Sequence, residues 1–285
     1  MLTSQPPNYL LEPSFFISAT LNKPHVHTID ISATLRNKQY YIDDIDNKKS
    51  QDVDHAIQFR CPFLSAKCSN EVVLSYYDCL LRNSDVTLLT EPNWLNDVII
   101  GFYFEYLDHK HNQDDQKNVL FISPEVTQLL KMTDVSQYEI FLDPSVLSKA
   151  HAILFALNNC DQRDKPGGSH WSLLVYCQSN SNFYHFDSCK GTNRDIALRF
   201  AKRLSSYMDG TDQCSFIEPN CPEQDNGYDC GVYVMCLTDI ILEAIIKNNE
   251  LKECNYNHAK HLAKTKRTEV LELINSLKSV ANNSK

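Results

Sequence analysis

A cysteine directly ahead of a long apolar segment is the first residue of this chain that suggests covalent chemistry. Cys230 follows Asp229, and after it apolar residues recur at helical spacing as far as Ile245. A cysteine at a helix N-terminus lies at the positive end of the helix dipole, which favours the nucleophilic thiolate. Asp229 is of a type that caps helix N-termini. The position predicts a nucleophile, whereas Cys236 in the same helix is expected in the core.

A histidine and an aspartate on two neighbouring predicted strands form a second candidate pair. A short polar segment separates the strands, 170–176 and 183–187. A hairpin folded symmetrically about Gln178 and Ser179 would place His170 directly opposite Asp187, where the carboxylate accepts a hydrogen bond from the imidazole. This register is an assumption, because a slip of one residue turns one side chain to the other face. The hairpin alone favours an ordinary cross-strand contact, since such pairs are routine in sheets.

Acyl transfer also requires donors for the oxyanion that develops on the substrate, and Gln224 with the backbone N–H of Cys230 would supply two. His170, Asp187, Gln224 and Cys230 would then act as base, orienter, oxyanion donor and nucleophile. Sequence alone does not bring Cys230 beside His170. The positions of the glycines indicate unusual backbone conformations near His170 and near Cys230, although two tight turns would give the same pattern. Four of the seven glycines lie within three residues of His170 or Cys230: Gly167, Gly168, Gly227 and Gly231.

The remaining patterns predict the elements that must position these residues. Apolar residues in the middle of the chain predict buried strands over 152–157 and 215–217, beside the two strands of the hairpin. Helices are expected both before and after these strands, which indicates an α+β fold with a central mixed sheet flanked by helices. A basic stretch from Lys260 to Arg267 is interpreted as a solvated helix end. The predicted helices cover 73–82, 98–107 with Asn96 or Asp97 as cap, a segment starting at Ser123-Pro124, 193–208, 230–246 and 268–280.

Composition excludes several classes of protein. The chain has 285 residues, of which 42% are hydrophobic and 22% charged, as in globular domains. A net charge of -9 argues against general binding to nucleic acid or to anionic membranes. Eleven cysteines cannot all pair within the chain, none forms Cys-x-x-Cys, and neither a signal peptide nor an apolar membrane span is found. We expect reduced thiols in the cytoplasm and/or nucleus, with no metal or organic cofactor.

The chain divides into two parts of different character. Residues 1–70 contain polar turns and an acidic run but no strong periodicity, which predicts an irregular or disordered N-terminal extension. From residue 71 onward the helix and strand patterns are continuous. We therefore predict a catalytic domain over 71–285.

The motifs together resemble the ubiquitin-like-protease (Ulp/sentrin-specific protease) family of cysteine proteases. The resemblance is carried by His170-Trp171-Ser172, Asp187-Ser188, and Gln224 followed six residues later by Cys230-Gly231. The deneddylase branch of that family is the nearer match. Three further segments are similar to it: Trp94-Leu95-Asn96-Asp97 with the helix after it, Phe121 to Thr127, and Gly167 to Tyr176.

The resemblance covers roughly 71–285 and implies a papain-like fold. It implies that His170 is the general base and acid, Asp187 its orienter, Gln224 part of the oxyanion hole and Cys230 the nucleophile. It further implies that Trp94 and Trp171 cover a Gly-Gly tail in a narrow channel and that Asp97 contacts the modifier's tail. Without the family, both tryptophans would be assigned to core packing.

The function implied is a thiol protease that cleaves after the Gly-Gly end of the ubiquitin-like modifier Nedd. Such an enzyme would mature the modifier precursor and remove the modifier from its conjugates, acting as a monomer without nucleic acid or membrane. A SUMO-specific protease of the same family is the first alternative. A non-catalytic module that binds ubiquitin-like modifiers is the second.

Overall fold

The structure of the chain is a computed structural model. It describes residues 70–90, 92–111, 119–162, 167–211, 213–248 and 250–283. All but the last residue of the predicted N-terminal extension lies outside these ranges. Residues 163–166, in the segment that precedes His170, also lie outside the described ranges.

A mixed five-stranded sheet forms the centre of the described part, in the order β3-β4-β5-β6-β7. The outer pairs are parallel, and β4, β5 and β6 run antiparallel to one another. This arrangement confirms the predicted central mixed sheet. A separate two-stranded hairpin, β1 and β2, precedes it. The strands are β1 (Val72–Tyr76), β2 (Cys79–Arg82), β3 (Val119–Ile122), β4 (Ala152–Asn158), β5 (Trp171–Cys177), β6 (Asn182–Phe186) and β7 (Ser215–Ile217).

Helices cover both faces of the sheet. Along β5, Leu173 and Val175 face one hydrophobic cluster, while Leu174 and Tyr176 between them face the other. This alternation follows from the period of two in a strand and explains why β5 is apolar throughout. The helices are α1 (Asn83–Val86), α2 (Asp97–His111), α3 (Pro124–Met132), α4 (Pro144–Leu147), α5 (Arg194–Asp209), α6 (Cys230–Ile246) and α7 (Ala259–Asn283).

The two clusters belong to different helices. The α2 and α6 helices supply Ile99, Phe102, Val234 and Ile241 to the cluster on the Leu173 face. The α3 and α5 helices contribute Leu130, Phe200 and Leu204 to the cluster on the Tyr176 face. No helix within the described ranges is both long and apolar enough to cross a membrane.

Side-chain caps begin two of the helices where the sequence indicates them. Asn96 Oδ1 accepts from the N–H of Ile99, which starts α2. Ser123 Oγ accepts from the N–H of Val126, with Pro124 in the first turn of α3. Both contacts satisfy N–H groups that have no partner within the helix.

Three sequence predictions are corrected. The helix predicted over 73–82 is the β1–β2 hairpin, in which Leu74 pairs with Leu81 and Tyr77 turns the chain with a φ of 46°. The apolar residues of this segment are spaced as in a helix, but its β-branched and aromatic residues favour strands. The turn at Tyr77 reverses the chain, and the segment therefore forms a hairpin. Strand β3 was not predicted. The last helix begins at Ala259 instead of Thr268, and Lys266 and Arg267 within it are buried instead of solvated.

The hairpin of β5 and β6 does not have the predicted register. Leu173 pairs with Phe186 and Cys177 with Asn182, so His170 is not directly opposite Asp187. The turn holds four residues, 178–181, where two were assumed. The shift moves each partner by two positions, which preserves the face of every side chain. His170 and Asp187 therefore still lie on one side, as diagonal neighbours.

Tight packing at the start of α6 gives a test of this arrangement. A Cβ on Gly231 would lie 3.0 Å from Leu95 Cβ and 3.2 Å from Ile100 Cδ1. We expect Gly231→Ala to lower the free energy of unfolding by about 1–3 kcal/mol in urea titrations, because overpacking outweighs the better helix propensity of alanine.

Gly227→Ala is the matched control. A Cβ there meets no described residue within 4 Å beyond its own chain neighbours. Equal stability of the Gly231→Ala variant and the wild type would contradict the close packing of α6 on Leu95.

Candidate active site

A buried histidine–aspartate pair lies at one end of the β5–β6 hairpin. His170 stands directly before β5 and Asp187 directly after β6. His170 Nε2 lies 2.5 Å from Asp187 Oδ1, and the two residues are only 5% and 7% exposed. Water screens so buried a contact weakly, so the interaction is strong and directional. The predicted contact is present, reached through a register different from the predicted one.

Backbone donors fix the Asp187 carboxylate from its other side. Oδ1 also accepts from the N–H of Cys189, and Oδ2 accepts from the N–H of Asn193, both at 2.9 Å. Burial alone would raise the pKa of Asp187, but the hydrogen bonds from His170, Asn193 and Cys189 hold it below its usual value. The carboxylate is therefore ionised and unable to rotate away from the imidazole.

Cys230 lies beside the same imidazole. It is the first residue of α6 and is buried, and its thiol lies close enough to His170 to raise the pKa of that imidazole. Because Nε2 of His170 faces Asp187, the ring nitrogen Nδ1 is the one that faces the thiol. The structure thus brings together His170, Asp187 and Cys230, which the sequence could not place side by side.

The charge of His170 follows from these contacts. Burial opposes the positive charge on the ring, but the hydrogen bonds and charges of Asp187 and Cys230 outweigh it and raise the pKa of His170 to about 9. The imidazole is therefore protonated at neutral pH. A protonated imidazole beside a cysteine at a helix N-terminus favours the thiolate.

Asp229 occupies the predicted N-cap position of α6, but its side chain does not cap the helix. Its carboxylate accepts from Arg267 and from Asn226 Nδ2 instead. Asp229 therefore stands at the predicted N-cap position, but the predicted hydrogen bond from its carboxylate to the helix N-terminus is absent.

Gln224 is anchored to the residue that follows Asp187. Its Oε1 accepts from Ser188 Oγ at 2.8 Å, and its backbone N–H donates to Ser188 O. Its Nε2 donates to Asn226 O at 2.6 Å. An amide nitrogen carries two hydrogens, so one remains to serve an oxyanion. The oxyanion role of Gln224 stays a prediction.

The two tryptophans differ in exposure. Trp94 is 53% exposed, and its indole N–H donates to Gly227 O at 2.7 Å. Trp171 is 9% exposed within the hydrophobic core and donates to Leu95 O at 3.0 Å. An exposed indole next to Cys230's loop is unlike core packing and is available to cover a ligand. Trp171 has the core environment that its residue type alone would suggest.

Asp97 is exposed in the first turn of α2, where its own carboxylate accepts from the N–H of Val98. Glu125 lies near it. Burial and the negative charge of Asp97 raise the pKa of Glu125. The exposed Asp97 carboxylate remains accessible to a cationic group of a bound peptide.

Sequence reasoning missed Asn193, which is fully buried behind the pair. Its Nδ2 donates to Ser172 Oγ at 2.9 Å, to Leu157 O at 3.2 Å and to His170 O at 3.4 Å. Together with its N–H to Asp187, these contacts fix His170 and Asp187 from one side. Its place just before α5 signals a helix cap, yet its side chain does not cap the helix.

Metal ligation finds no support in the described ranges, since no three histidine, cysteine, aspartate or glutamate side chains there are grouped to hold an ion.

Residues 93–277 match the family model described as the C-terminal catalytic domain of the Ulp1 protease family. The match contains all seven predicted site residues and spans more than half of the chain. The chain belongs to the Ulp1 protease family.

Several curated relatives of this Ulp1-family protease are named as sentrin-specific or NEDD8-specific proteases. Sentrin-specific protease 8 of Mus musculus is 43% identical over 178 residues, which cover 62% of this chain and 80% of the relative. NEDD8-specific protease 1 of Arabidopsis thaliana is 32% identical over 222 residues, or 74% of this chain and 95% of the relative.

The fold is shared with a solved Ulp1-family structure. The C-terminal Ulp1 protease domain in complex with Smt3, the yeast ortholog of SUMO, superposes with a TM-score of 0.54 at 20% identity. The match covers 71% of this chain and 88% of that one. This confirms the predicted α+β, papain-like fold of the ubiquitin-like-protease type.

The raised pKa of His170 predicts a pH dependence. Cleavage of a fluorogenic substrate needs the imidazolium to protonate the leaving amine, so we expect kcat/KM to fall as pH rises through about 9. Asp187→Asn removes a charge that raises this pKa. The fall should then begin at lower pH, with kcat/KM at neutral pH reduced by about 10²–10⁴-fold.

Asp195→Asn is the control, since Asp195 is an exposed aspartate in the first turn of α5. Its pH profile should match the wild type. A descending limb at the same pH in the Asp187→Asn variant would show that Asp187 does not set the charge of His170.

Proposed function

We propose that this chain is a cysteine protease that cleaves after the C-terminal Gly-Gly of the ubiquitin-like modifier NEDD8. It would mature the modifier precursor and release the modifier from lysines of its conjugates. The observation that carries the catalytic part is the buried His170 ring, which is hydrogen-bonded to Asp187 and has its pKa raised by both Asp187 and Cys230. Relatives named as NEDD8-specific proteases at 32% identity support the choice of modifier.

The proposed reaction begins with attack of the Cys230 thiolate on the carbonyl carbon of the terminal glycine. The N–H of Cys230 and the amide of Gln224 donate to the oxyanion of the tetrahedral intermediate. The protonated imidazole of His170 gives its proton to the leaving amine, which departs and leaves an acyl-enzyme. Water then attacks the thioester. His170 takes the proton of this water, and the thiolate is regenerated.

Asp187 has no covalent part in this sequence. Its short hydrogen bond holds the ring in one orientation and stabilises the imidazolium before acylation. The fixed carboxylate thus keeps Nδ1 of His170 aimed at Cys230 through both halves of the reaction.

The two tryptophans and Asp97 are proposed to bind the tail of the modifier. Glycine has no side chain, so a Gly-Gly tail passes under an indole where any other dipeptide would meet it sterically. The exposed Trp94 beside Gly227 fits this role through its position over the loop that leads to Cys230. Asp97 lies exposed near the same segment and would contact the tail further from the scissile bond.

A SUMO-specific protease of the same family is the second candidate. The solved Ulp1 domain in complex with Smt3 has the same fold at 20% identity, which supports the fold alone. A non-catalytic binding module is disfavoured, because a binder has no need of an imidazole held between a carboxylate and a thiol.

The cellular setting is also proposed. We place the protein in the cytoplasm and/or nucleus, acting as a monomer without nucleic acid or membrane. No disulfide joins any of the nine cysteines in the described ranges, as expected in a reducing compartment. Light scattering of the purified chain and fractionation of cells test these proposals.

Modifier preference can be decided with C-terminal fluorogenic derivatives of NEDD8, SUMO and ubiquitin. We expect kcat/KM for NEDD8 to exceed that for the other two by at least about tenfold, which is roughly 1.4 kcal/mol of transition-state binding. Asp97→Asn should reduce the turnover of NEDD8 and narrow this preference. Equal or faster turnover of SUMO would reject the NEDD8 assignment and support the second candidate.

Cys230→Ala tests catalysis separately from binding. We expect hydrolysis to be lost, since the variant has no thiol at the start of α6, while calorimetry shows NEDD8 binding retained. Cys236→Ala is the matched control, because Cys236 lies in the body of α6 and is fully buried in the core. It should retain turnover, with a loss of stability only. Turnover by the Cys230→Ala variant would disprove the assigned nucleophile.

A further inference from the structure

The most heavily bonded cation of the described residues lies under the active site. Arg267 belongs to α7 and is 5% exposed, although its neighbours in sequence suggested a solvated basic stretch. Its guanidinium reaches two chain segments that are far apart in sequence, 88–93 and 228–229. A buried charge with this many partners indicates a specific task for the side chain.

The hydrogen bonds of Arg267 join segments from both ends of the domain. Nε and Nη2 donate to Asp229 Oδ1 at 3.1 and 2.8 Å. Nη1 donates to Leu88 O and Nη2 to Asn93 O, each at 2.8 Å. A longer contact of 3.4 Å joins Nη2 to Tyr228 O. One rigid group thus fixes the segment 88–93 against the segment 228–229.

The next residue along each segment belongs to the proposed site. Asn93 directly precedes Trp94, and Asp229 directly precedes Cys230. The two segments also touch through the indole of Trp94, which donates to Gly227 O. The guanidinium therefore sets the separation between the indole and the nucleophile without contacting either.

A lysine does not reproduce this arrangement. The guanidinium is a planar fork with five N–H donors, whereas an ammonium is a point charge with three. A single ammonium does not span Leu88 O, Asn93 O and the Asp229 carboxylate at these distances. Replacement leaves at least one carbonyl unpaired and frees its segment to move.

We infer that Arg267 is a positioning residue that sets the width of the groove between Trp94 and Cys230. This rests on the proposed function, in which that groove receives the Gly-Gly tail of a modifier. A narrow groove excludes a penultimate residue larger than glycine. Arg267 therefore contributes to the selection of Gly-Gly ends while lying outside the groove.

The preceding residue, Lys266, supplies a matched control on the same helix. It is 4% exposed, and its ammonium pairs with Asp239 at 2.6 Å and with Glu269 at 3.0 Å. It also donates to Tyr103 Oη. None of these partners belongs to the predicted site. Lys266→Met therefore breaks a comparably buried ion pair at a distance from the groove.

The first measurement compares substrates ending in Gly-Gly and in Ala-Gly. For Arg267→Lys we expect kcat/KM on Gly-Gly substrates to fall at least about tenfold. Mutation of residues that orient the ligands of metal sites lowers metal affinity or activity by about 10–100-fold, and we expect a comparable effect of a positioning residue here. The preference for Gly-Gly over Ala-Gly should fall at least severalfold as well. Lys266→Met should leave both values within twofold of the wild type.

The second measurement does not depend on the identity of the modifier. The chain has two tryptophans, so 5-fluorotryptophan labelling gives two ¹⁹F resonances, assigned by Trp94→Phe. Arg267→Lys should shift or broaden the resonance of the exposed Trp94 more than that of the buried Trp171, whose indole donates to the neighbouring Leu95 O. Lys266→Met should alter neither resonance.

Asp229→Asn serves as a second variant if Arg267→Lys lowers the melting temperature more than Lys266→Met does. It removes the ion pair and one of the two acceptor oxygens that Asn226 and Arg267 share, and it leaves the carbonyl contacts of Arg267. It should shift the Trp94 resonance in the same direction.

Two results would overturn the inference. One is an unchanged Trp94 resonance together with an unchanged Gly-Gly preference in Arg267→Lys. The other is a Lys266→Met variant that, at the same melting temperature as Arg267→Lys, shows the same shift of the Trp94 resonance and the same loss of Gly-Gly preference. That result would assign Arg267 a purely structural role. If no modifier is cleaved by the wild type, the proposed function fails, and the ¹⁹F spectra alone decide the positioning role.

Discussion

The hydrogen bond between His170 and Asp187 is the interaction on which the active site depends. Both groups are buried, and a buried charge without a partner is costly to hold. Each charge here is compensated by the other, and the carboxylate also accepts from two backbone N–H groups. These contacts form only when the N-terminal end of β5, the C-terminal end of β6 and the start of α5 lie next to one another. The central sheet is therefore the frame that permits an imidazolium in a dry site.

A second constraint brings the thiol to that imidazolium. The start of α6 approaches Leu95 so closely that a Cβ at position 231 would lie only 3.0 Å from Leu95 Cβ. Three successive residues of the facing segment are held there by hydrogen bonds from different elements. Asn93 O accepts from Arg267, the indole of Trp94 donates to Gly227 O, and Leu95 O accepts from Trp171. The segment beside Cys230 is therefore fixed by three hydrogen bonds, which fits the proposed role of Trp94 in covering a narrow tail.

The sequence predicted the elements better than the contacts between them. Strand β7 and helix α6 have the predicted bounds, because strong apolar patterns and clear boundaries define them. The contact of His170 with Asp187 was predicted through a wrong register, since face parity survives a shift of two residues. The β1–β2 hairpin was missed because its apolar residues also fit a helix. Asn193 and Arg267 were not found, because their roles come from partners distant in sequence that no local pattern shows.

The surroundings of the other thiols show why burial alone does not make a nucleophile. Burial raises the pKa of Cys221 to about 12, and it raises the pKa of Cys236 as well. Cys230 is also buried, yet its neighbour is an imidazole that carries a proton at neutral pH. Cys236 lies on the same helix, nearly two turns further on, where the N-terminal dipole has faded. Reactivity in this chain is therefore set by a charged partner at the helix start, and that partner is held by a carboxylate one strand away.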